Sequence, residues 1–170
     1  MLDFLFRRLT AQPSRGRELF EALIAQARDP HWYVEGTVPD TLDGRFAVLA
    51  TVNALLLVRL EDEGEAGNQL SVALTERFIE VMESEHRELG MGDPTLGRTV
   101  RKLVGSLSRR TDLWRAAVKG DADWAATARG SLYKEGVAPD ALRHSAGALE
   151  RIWSTLQAAD FAQIVAGDMR

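Results

Sequence analysis

The stretch 42–60 constrains the fold more than any other part of the sequence, because a helix built from it is apolar on nearly every side. Its apolar residues are Phe46, Val48, Leu49, Val52, Leu55, Leu56, Leu57 and Val58. A helix without a polar face is stable in water only when neighbours cover several of its sides. We therefore expect this helix at the centre of the protein, with the remaining helices packed around it.

Elsewhere the apolar residues recur at the three-and-four spacing of amphipathic helices. With the capping residues, this spacing predicts helices from Ser14 to about Ala27, from a turn at Gly64 and Gly67 to Gly90, from Asp93-Pro94 through Leu107, from Asp121 to Gly136 and from Pro139 to Leu156, then a short tail around Phe161, Ile164 and Val165. Residues 108–119 either extend the helix that Asp93 opens or form a separate one. No segment shows convincing period-two alternation. The sequence thus predicts an all-α fold, a single-domain bundle of about seven or eight helices, with residues 1–13 as an N-terminal arm and 14–166 as the core.

The segment 28–41 and the helix that follows Gly67 carry more detailed predictions. Pro30, Gly36 and Pro39 prevent a helix over 28–41, so we expect an ordered loop that the aromatic run 31–33 anchors. On the later helix, the residues predicted to be buried are Leu70, Leu74, Phe78, Val81, Met82 and Leu89. His86, which lies on this acidic helix, is expected at the surface.

Composition excludes several classes of chemistry. The 170 residues include no cysteine, so disulfides, thiolate metal sites and thiol nucleophiles are ruled out. The net charge of −4 argues against a dominant nucleic-acid surface, and we do not expect DNA as a partner. The charge is uneven, however: residues 61–93 hold ten acids and two bases, whereas residues 98–119 hold seven bases and one acid. The basic segment is either a contact surface for an acidic partner or a solvated helix face.

Membrane insertion is not indicated, because no segment reaches the roughly 18 uninterrupted apolar residues of a membrane span. The start, residues 1–9, lacks the order and cleavage site of a secretory signal, so we expect a mature N-terminus in the cytoplasm. Its apolar residues, with Arg7 and Arg8, either touch a membrane interface or dock on the protein's own core.

Three patterns resemble catalytic or metal sites but have simpler explanations. Residues 92–99 come within one residue of a phosphate-binding loop, with Arg98 in the lysine position, but that motif needs a preceding strand and a helix is predicted instead. Residues 83–86 contain one Glu-x-x-His pair, and no second copy completes a di-metal set. No Gly-x-Ser-x-Gly elbow occurs. We therefore predict no enzyme activity, no metal site and no cofactor.

The segment Val38-Pro39-Asp40-Thr41-Leu42-Asp43-Gly44-Arg45-Phe46 carries more polar chemistry than the entry to a helix requires. Asp40 or Thr41 can cap the helix and Asp43 adds charge to its positive end, but capping does not require the Gly44-Arg45 pair as well. Read with Arg87-Glu88-Leu89-Gly90-Met91-Gly92-Asp93, the segment resembles the ubiquinol-cytochrome c chaperone family. Tyr33, Arg59-Leu60 and the run from Arg98 to Lys102 follow the family pattern in the same order. Departures occur at His86, at Pro94 and at residues 108–111.

The resemblance implies a non-enzymatic chaperone that binds newly made cytochrome b and assists assembly of the ubiquinol-cytochrome c oxidoreductase, respiratory complex III. It implies a cytoplasmic protein, peripheral at the inner membrane, and it makes a small helical partner protein and the ribosome candidate partners. The residues that we expect to bind the client or a partner are Trp32, Tyr33, Asp40, Asp43, Arg45, Arg87, Glu88, Asp93, Arg98, Arg101 and Lys102.

Each of these residues also has a purely structural interpretation. Arg45 or Arg87 can form a bidentate pair with Asp43, Glu88 or Asp93 that fastens the two signature segments together. Two further functional hypotheses use other residues. One is a helical adaptor that contacts RNA or the ribosome through the surface from Arg98 to Lys119. The other is a haem-binding bundle with His86 or His144 as an axial ligand.

Overall fold

Within the part of the chain that the structure describes, seven helices form a bundle, and one of them lies at its centre. The computed structural model describes residues 16–90 and 92–168, with backbone only at residue 93. The helices are α1 Arg17–Ala27, α2 Leu42–Leu60, α3 Gly64–Glu88, α4 Asp93–Val118, α5 Trp124–Leu132, α6 Pro139–Ala158 and α7 Phe161–Val165, with short 3-10 turns at Pro30–Trp32 and Glu61–Glu63. Since this described part contains no strand, the all-α prediction is confirmed. Six of its helices have nine residues or more and α7 is a single short turn of five, so the predicted seven or eight is slightly off when only the six longer helices are counted.

Helix α2 lies at the centre, as its apolar surface predicts. It packs against α1, α3, α4, α5 and α6. Val48, Val52, Leu55 and Leu56 are fully buried. The apolar surface that no single neighbour could cover is therefore divided among five helices. The short α7 packs against α1 at the periphery.

Helix α3 differs from its prediction at both ends. Gly67 lies inside the helix and not in a turn. Glycine is required there because a Cβ would stand 2.1 Å from the Leu60 carbonyl oxygen. At the other end the helix stops at Glu88, so Leu89 is 65% exposed. His86 takes the buried position instead. It is 7% exposed, and its Nδ1 lies 2.7 Å from the Met82 carbonyl oxygen, which satisfies one ring nitrogen within the helix.

Helix α4 resolves the alternative for residues 108–119, which continue it without a break to Val118. Pro94 occupies the first turn, as predicted, and the residue before the helix is Gly92, so Asp93 begins the helix rather than preceding it. At α1, Gly16 precedes the helix. The predicted cap Ser14 and the N-terminal arm 1–13 lie outside the described residues.

Helix α5 is shorter than predicted at both ends, beginning at Trp124 and ending at Leu132 rather than reaching Gly136. Asp123, not Asp121, is its N-cap, and the Asp123 carboxylate accepts a hydrogen bond from the Ala126 amide at 2.7 Å. An N-cap side chain of this kind satisfies one of the amides that the helix leaves free.

The two aspartates before α5 give a direct test of this assignment. Asp123→Ala should lower the free energy of unfolding by about 1 kcal/mol, because it removes the cap. Asp121→Ala should change it by less than about 0.5 kcal/mol, since Asp121 is exposed and lies away from the cap. Urea unfolding followed by circular dichroism measures both. Equal losses for the two variants would contradict the cap at Asp123.

Candidate functional site

Residues 37–46, which we call the corner, turn the chain sharply into α2. Thr41 is the N-cap, and its hydroxyl accepts a hydrogen bond from the Gly44 amide at 3.2 Å. Gly44 approaches Pro39 so closely that a Cβ would lie 1.8 Å from the Pro39 carbonyl oxygen. Thr37 has a positive φ of 50°, which L residues other than asparagine and aspartate rarely adopt. Glycine at position 44 is therefore required by the corner itself.

Charged residues of the corner pair locally and with one distant segment. Asp40 accepts a hydrogen bond from Arg45 Nε at 2.7 Å, and this contact lowers the pKa of the Asp40 carboxyl. Asp43 pairs with Lys134, which follows α5. All four side chains are more than half exposed. Neither Asp43 nor Arg45 pairs with the second signature, residues 87–93, among the described side chains, which do not include that of Asp93.

The loop before the corner is anchored by its aromatic residues, as predicted. Trp32 is fully buried, and its indole nitrogen donates to the Gln26 carbonyl at 2.9 Å. Tyr33 donates its hydroxyl to the Ala27 carbonyl at 2.9 Å. Trp32 can therefore influence binding only by holding the loop in place, whereas half-buried Tyr33 still borders solvent.

A cleft of about 550 Å³ opens between the corner, α4 and residues 130–136. Apolar side chains of Phe46, Leu103 and Leu132 line it, and Asp43, Lys102 and Lys134 are among its charged residues. Its volume is within the range of pockets that hold small ligands or short peptide segments. Of the predicted binding residues, the structure brings Asp43 and Lys102 together in this cleft.

Residue Arg110 lies in the same cleft and was not predicted as a site residue. Its Nη2 donates to the Ser131 carbonyl at 2.8 Å, one of the last carbonyls of α5. Its Nη1 donates to Ser106, and its guanidinium carbon lies 5.5 Å from the centre of the Phe46 ring. Burial lowers the pKa of Arg110, and the neighbouring Arg109 lowers it further. In sequence, Arg110 is one base among seven in the basic segment, and nothing marks it as buried.

The remaining bases of the segment 98–119 divide into two groups. Arg115 pairs with Glu61 through two nitrogens, which ties α4 to the 3-10 turn after α2, and it also pairs with Asp112 within α4. The other bases are all exposed: Arg98, Arg101, Lys102, Arg109 and Lys119. Of the seven bases in the predicted contact surface, Arg110 and Arg115 are therefore engaged within the protein, and the other five are exposed to a partner. Contact with RNA or the ribosome stays a prediction.

The second signature lies at the end of α3 and is exposed. Arg87, Glu88 and Leu89 all face solvent, and the side chain of Asp93 is outside the described part. One turn earlier, Glu85 shares a narrow groove with Tyr33 of the loop before the corner and with Arg45 of the first signature, the segment Val38–Phe46. The two signatures therefore approach each other through Glu85, on a helix position that the sequence pattern did not single out.

A histidine pair fixes the loop against α6. Nδ1 of His31 lies 3.0 Å from Nε2 of His144, and the His31 ring stacks on Trp32 with centroids 4.4 Å apart. Burial lowers the pKa of His31, while its charged neighbours act in both directions: Asp29 and Glu35 raise it, and His144 and Arg151 lower it. The hydrogen bond requires one proton between two rings, so it is lost when both rings are charged.

This pair predicts a pH dependence of stability. Because the folded-state pKa of His31 lies below its unfolded value of 6.5, the contribution is fully present above pH 6.5 and is lost as the pH falls from 6.5 through the folded-state pKa. The free energy of unfolding should therefore decline between pH 7 and pH 5. His31→Gln should flatten this decline, because it removes the ring whose pKa burial lowers, whereas His144→Gln should flatten it less, because the burial of His31 remains. The pH dependence is measured as the urea midpoint of unfolding between pH 7 and pH 5. If neither single variant changed the slope of the midpoint against pH, the histidine pair would not be its source.

The described residues contain no group of three or more side chains that could hold a metal ion. Both histidines considered as haem ligands, His86 and His144, have one ring nitrogen within hydrogen-bonding distance of a protein partner. None of the described helices combines the length and the hydropathy needed to cross a membrane.

The described residues form a helical bundle with an open, polar-rimmed cleft beside the corner. A family model described as ubiquinol-cytochrome C chaperone matches residues 35–170, and the chain belongs to this family. The resemblance read from the two signatures is thereby confirmed. The chain is also similar to a solved structure, described as the crystal structure of the Cbp3 homolog from Brucella abortus, at 28% identity over 99% of this chain and 94% of that chain, with a TM-score of 0.78. No curated protein sequence gives a significant match.

Proposed function

We propose that this protein is a non-enzymatic chaperone in the assembly of respiratory complex III and that its client is newly made cytochrome b. The observation that carries the proposal is the family match, which spans 136 of the 170 residues. The similarity to the Cbp3 homolog over nearly the whole chain supports the same class of protein. A chaperone role needs a binding surface but no catalytic group, in keeping with the cleft.

The cleft is the surface that we assign to the client. Its apolar walls, formed by Phe46 and Leu103, offer burial to a segment of an apolar subunit. Its rim carries charges of both signs, with Lys102 on α4 and the Asp43–Lys134 pair opposite. Such a rim favours one orientation of the bound segment over the reverse. Exposed Leu89 in the second signature adds an apolar contact outside the cleft.

Loss of the protein should reduce complex III specifically. We expect a deletion strain to show a lower content of assembled complex III and less b-type haem absorbance in its membranes, both restored by the wild-type gene. Another respiratory complex, measured on the same gels, provides the control. Normal complex III in the deletion strain would overturn the proposed function.

A further inference from the structure

Arg110 is a partly buried cation whose Nε is shielded from water, and it pairs with no carboxylate among the described residues. Its guanidinium donates to three oxygens, all neutral: the Ser106 carbonyl and hydroxyl and the Ser131 carbonyl. Five other arginines of the described part behave differently, since each contacts an acidic side chain: Arg17, Arg45, Arg59, Arg115 and Arg143. A charge that is partly removed from water without a counter-charge destabilises the site. An anion bound in the cleft would therefore be stabilised by pairing with Arg110.

Two polar atoms of residues that line the cleft have no partner among the described residues. One is Nε of Arg110, and the other is the hydroxyl oxygen of Ser131, a residue that is only 2% exposed. Nη2 of Arg110 also carries a second N–H beyond the one it gives to the Ser131 carbonyl. Nε and Nη2 together can donate to both oxygens of one carboxylate. The Ser131 hydroxyl is a third donor, on a residue whose carbonyl accepts from Arg110.

We propose that the cleft binds an extended peptide segment with an acidic side chain, whose carboxylate pairs with Arg110 and accepts a hydrogen bond from Ser131. The proposal rests on the proposed function only for the source of the peptide, a segment of the client. Because Nε of Arg110 and the Ser131 hydroxyl are shielded from water, side chains at the cleft floor shift as the carboxylate enters.

A peptide fits the cleft better than an anionic lipid does. Acidic residues Asp43 and Glu135 lie in the same lining as Lys102 and Lys134. The C-terminal end of α5, which is the negative end of its dipole, also points its last carbonyls toward Arg110. A phosphate headgroup would meet these negative groups, whereas a peptide offers amides to them as well as one carboxylate.

The test follows the Arg110 Nε–H signal by NMR in the full-length protein. The probes are a blocked leucine-glutamate-leucine tripeptide and its glutamine counterpart. We expect the glutamate tripeptide to shift this signal saturably, with an affinity at least tenfold higher than that of the glutamine tripeptide. Ser131→Ala should weaken the glutamate tripeptide at least threefold. Arg110→Gln should abolish the preference for glutamate, and Arg109→Gln, which removes an exposed neighbouring charge, should preserve it.

Several results would overturn the inference. They are a silent Arg110 signal, equal affinity for the two tripeptides, or an equal response to free acetate or to phosphatidylglycerol vesicles. If Arg110→Gln does not fold, the inference is still tested by the wild-type titration with the two tripeptides and by the loss of affinity in Ser131→Ala. Capture of co-expressed cytochrome b is measured in parallel with the wild-type chain. Capture without an Arg110 response defeats only the inference, whereas an Arg110 response without capture defeats only the proposed client.

Discussion

Gly44→Ala should destabilise the protein by about 3 kcal/mol, at the upper end for an overpacked site. The added Cβ would lie 1.8 Å from the Pro39 carbonyl oxygen and 2.9 Å from the Pro39 carbonyl carbon. Both are backbone atoms, so no flexible side chain can move aside. Relief requires the corner to open, which also strains the hydrogen bond from the Gly44 amide to Thr41. For a chain of this size, we expect the melting temperature to fall by about 6–12 °C.

Gly105→Ala is the matched control for this variant. Gly105 lies within α4 and is exposed, and a Cβ added there would meet no described atom within 4 Å beyond its own stretch of helix backbone. Alanine favours the helix over glycine, so this variant should be up to about 1 kcal/mol more stable than the wild type. Thermal unfolding of both variants gives the comparison. If Gly44→Ala behaved like Gly105→Ala, the close approach at the corner would be refuted.

Arg59→Met should lower the free energy of unfolding by a similar amount, about 3 kcal/mol. Arg59 is only 12% exposed and joins three partners: the Glu63 carboxylate at 2.6 Å, the Leu156 carbonyl at 2.9 Å and the Ala159 carbonyl at 3.1 Å. It therefore connects the end of α2 to the end of α6. Methionine keeps much of the apolar stem but leaves a half-buried carboxylate and two carbonyls without their donor.

An exposed arginine on α6 provides the comparison for Arg59. Arg143 pairs with Asp140 at 2.8 Å, but their side chains are 77% and 91% exposed. Arg143→Met should therefore change the stability by less than about 0.5 kcal/mol. Urea unfolding of the two variants separates the cases, and a loss below about 1 kcal/mol in Arg59→Met would show that the connection between α2 and α6 does not stabilise the fold.

The sequence predicted the parts of the fold that depend on periodicity and on local breaks. The central position of α2 follows from an apolar surface too broad for one neighbour, and the loop before the corner follows from Pro30 and Pro39. The cap of α5 was misplaced by two residues, because Asp121 and Asp123 are chemically equivalent until the backbone fixes which carboxylate reaches the Ala126 amide. Local rules therefore locate an element better than its ends.

The candidate site was harder to predict, because its chemistry depends on contacts between distant segments. Lys134 meets Asp43 across 91 positions in the chain, and Arg110 meets the Ser131 carbonyl across 21. His86 was predicted at the surface because acidic residues surround it in the sequence, although it follows Met82 by four positions on the buried face of α3. The signature motifs identified the family and the corner, but the opposite wall of the cleft required the fold.

Site-specific photo-crosslinking tests the central claim, that the cleft between the corner, α4 and residues 130–136 receives cytochrome b. A photo-reactive residue replaces Thr37, Lys102 or Glu135, which are exposed and line the cleft, and Glu150 on α6, which is exposed and outside its lining, serves as the control position. With cytochrome b co-expressed, our account predicts adducts from the cleft positions and none from position 150. Adducts from position 150 alone, or none from any cleft position while complex III assembly still depends on the protein, would contradict it.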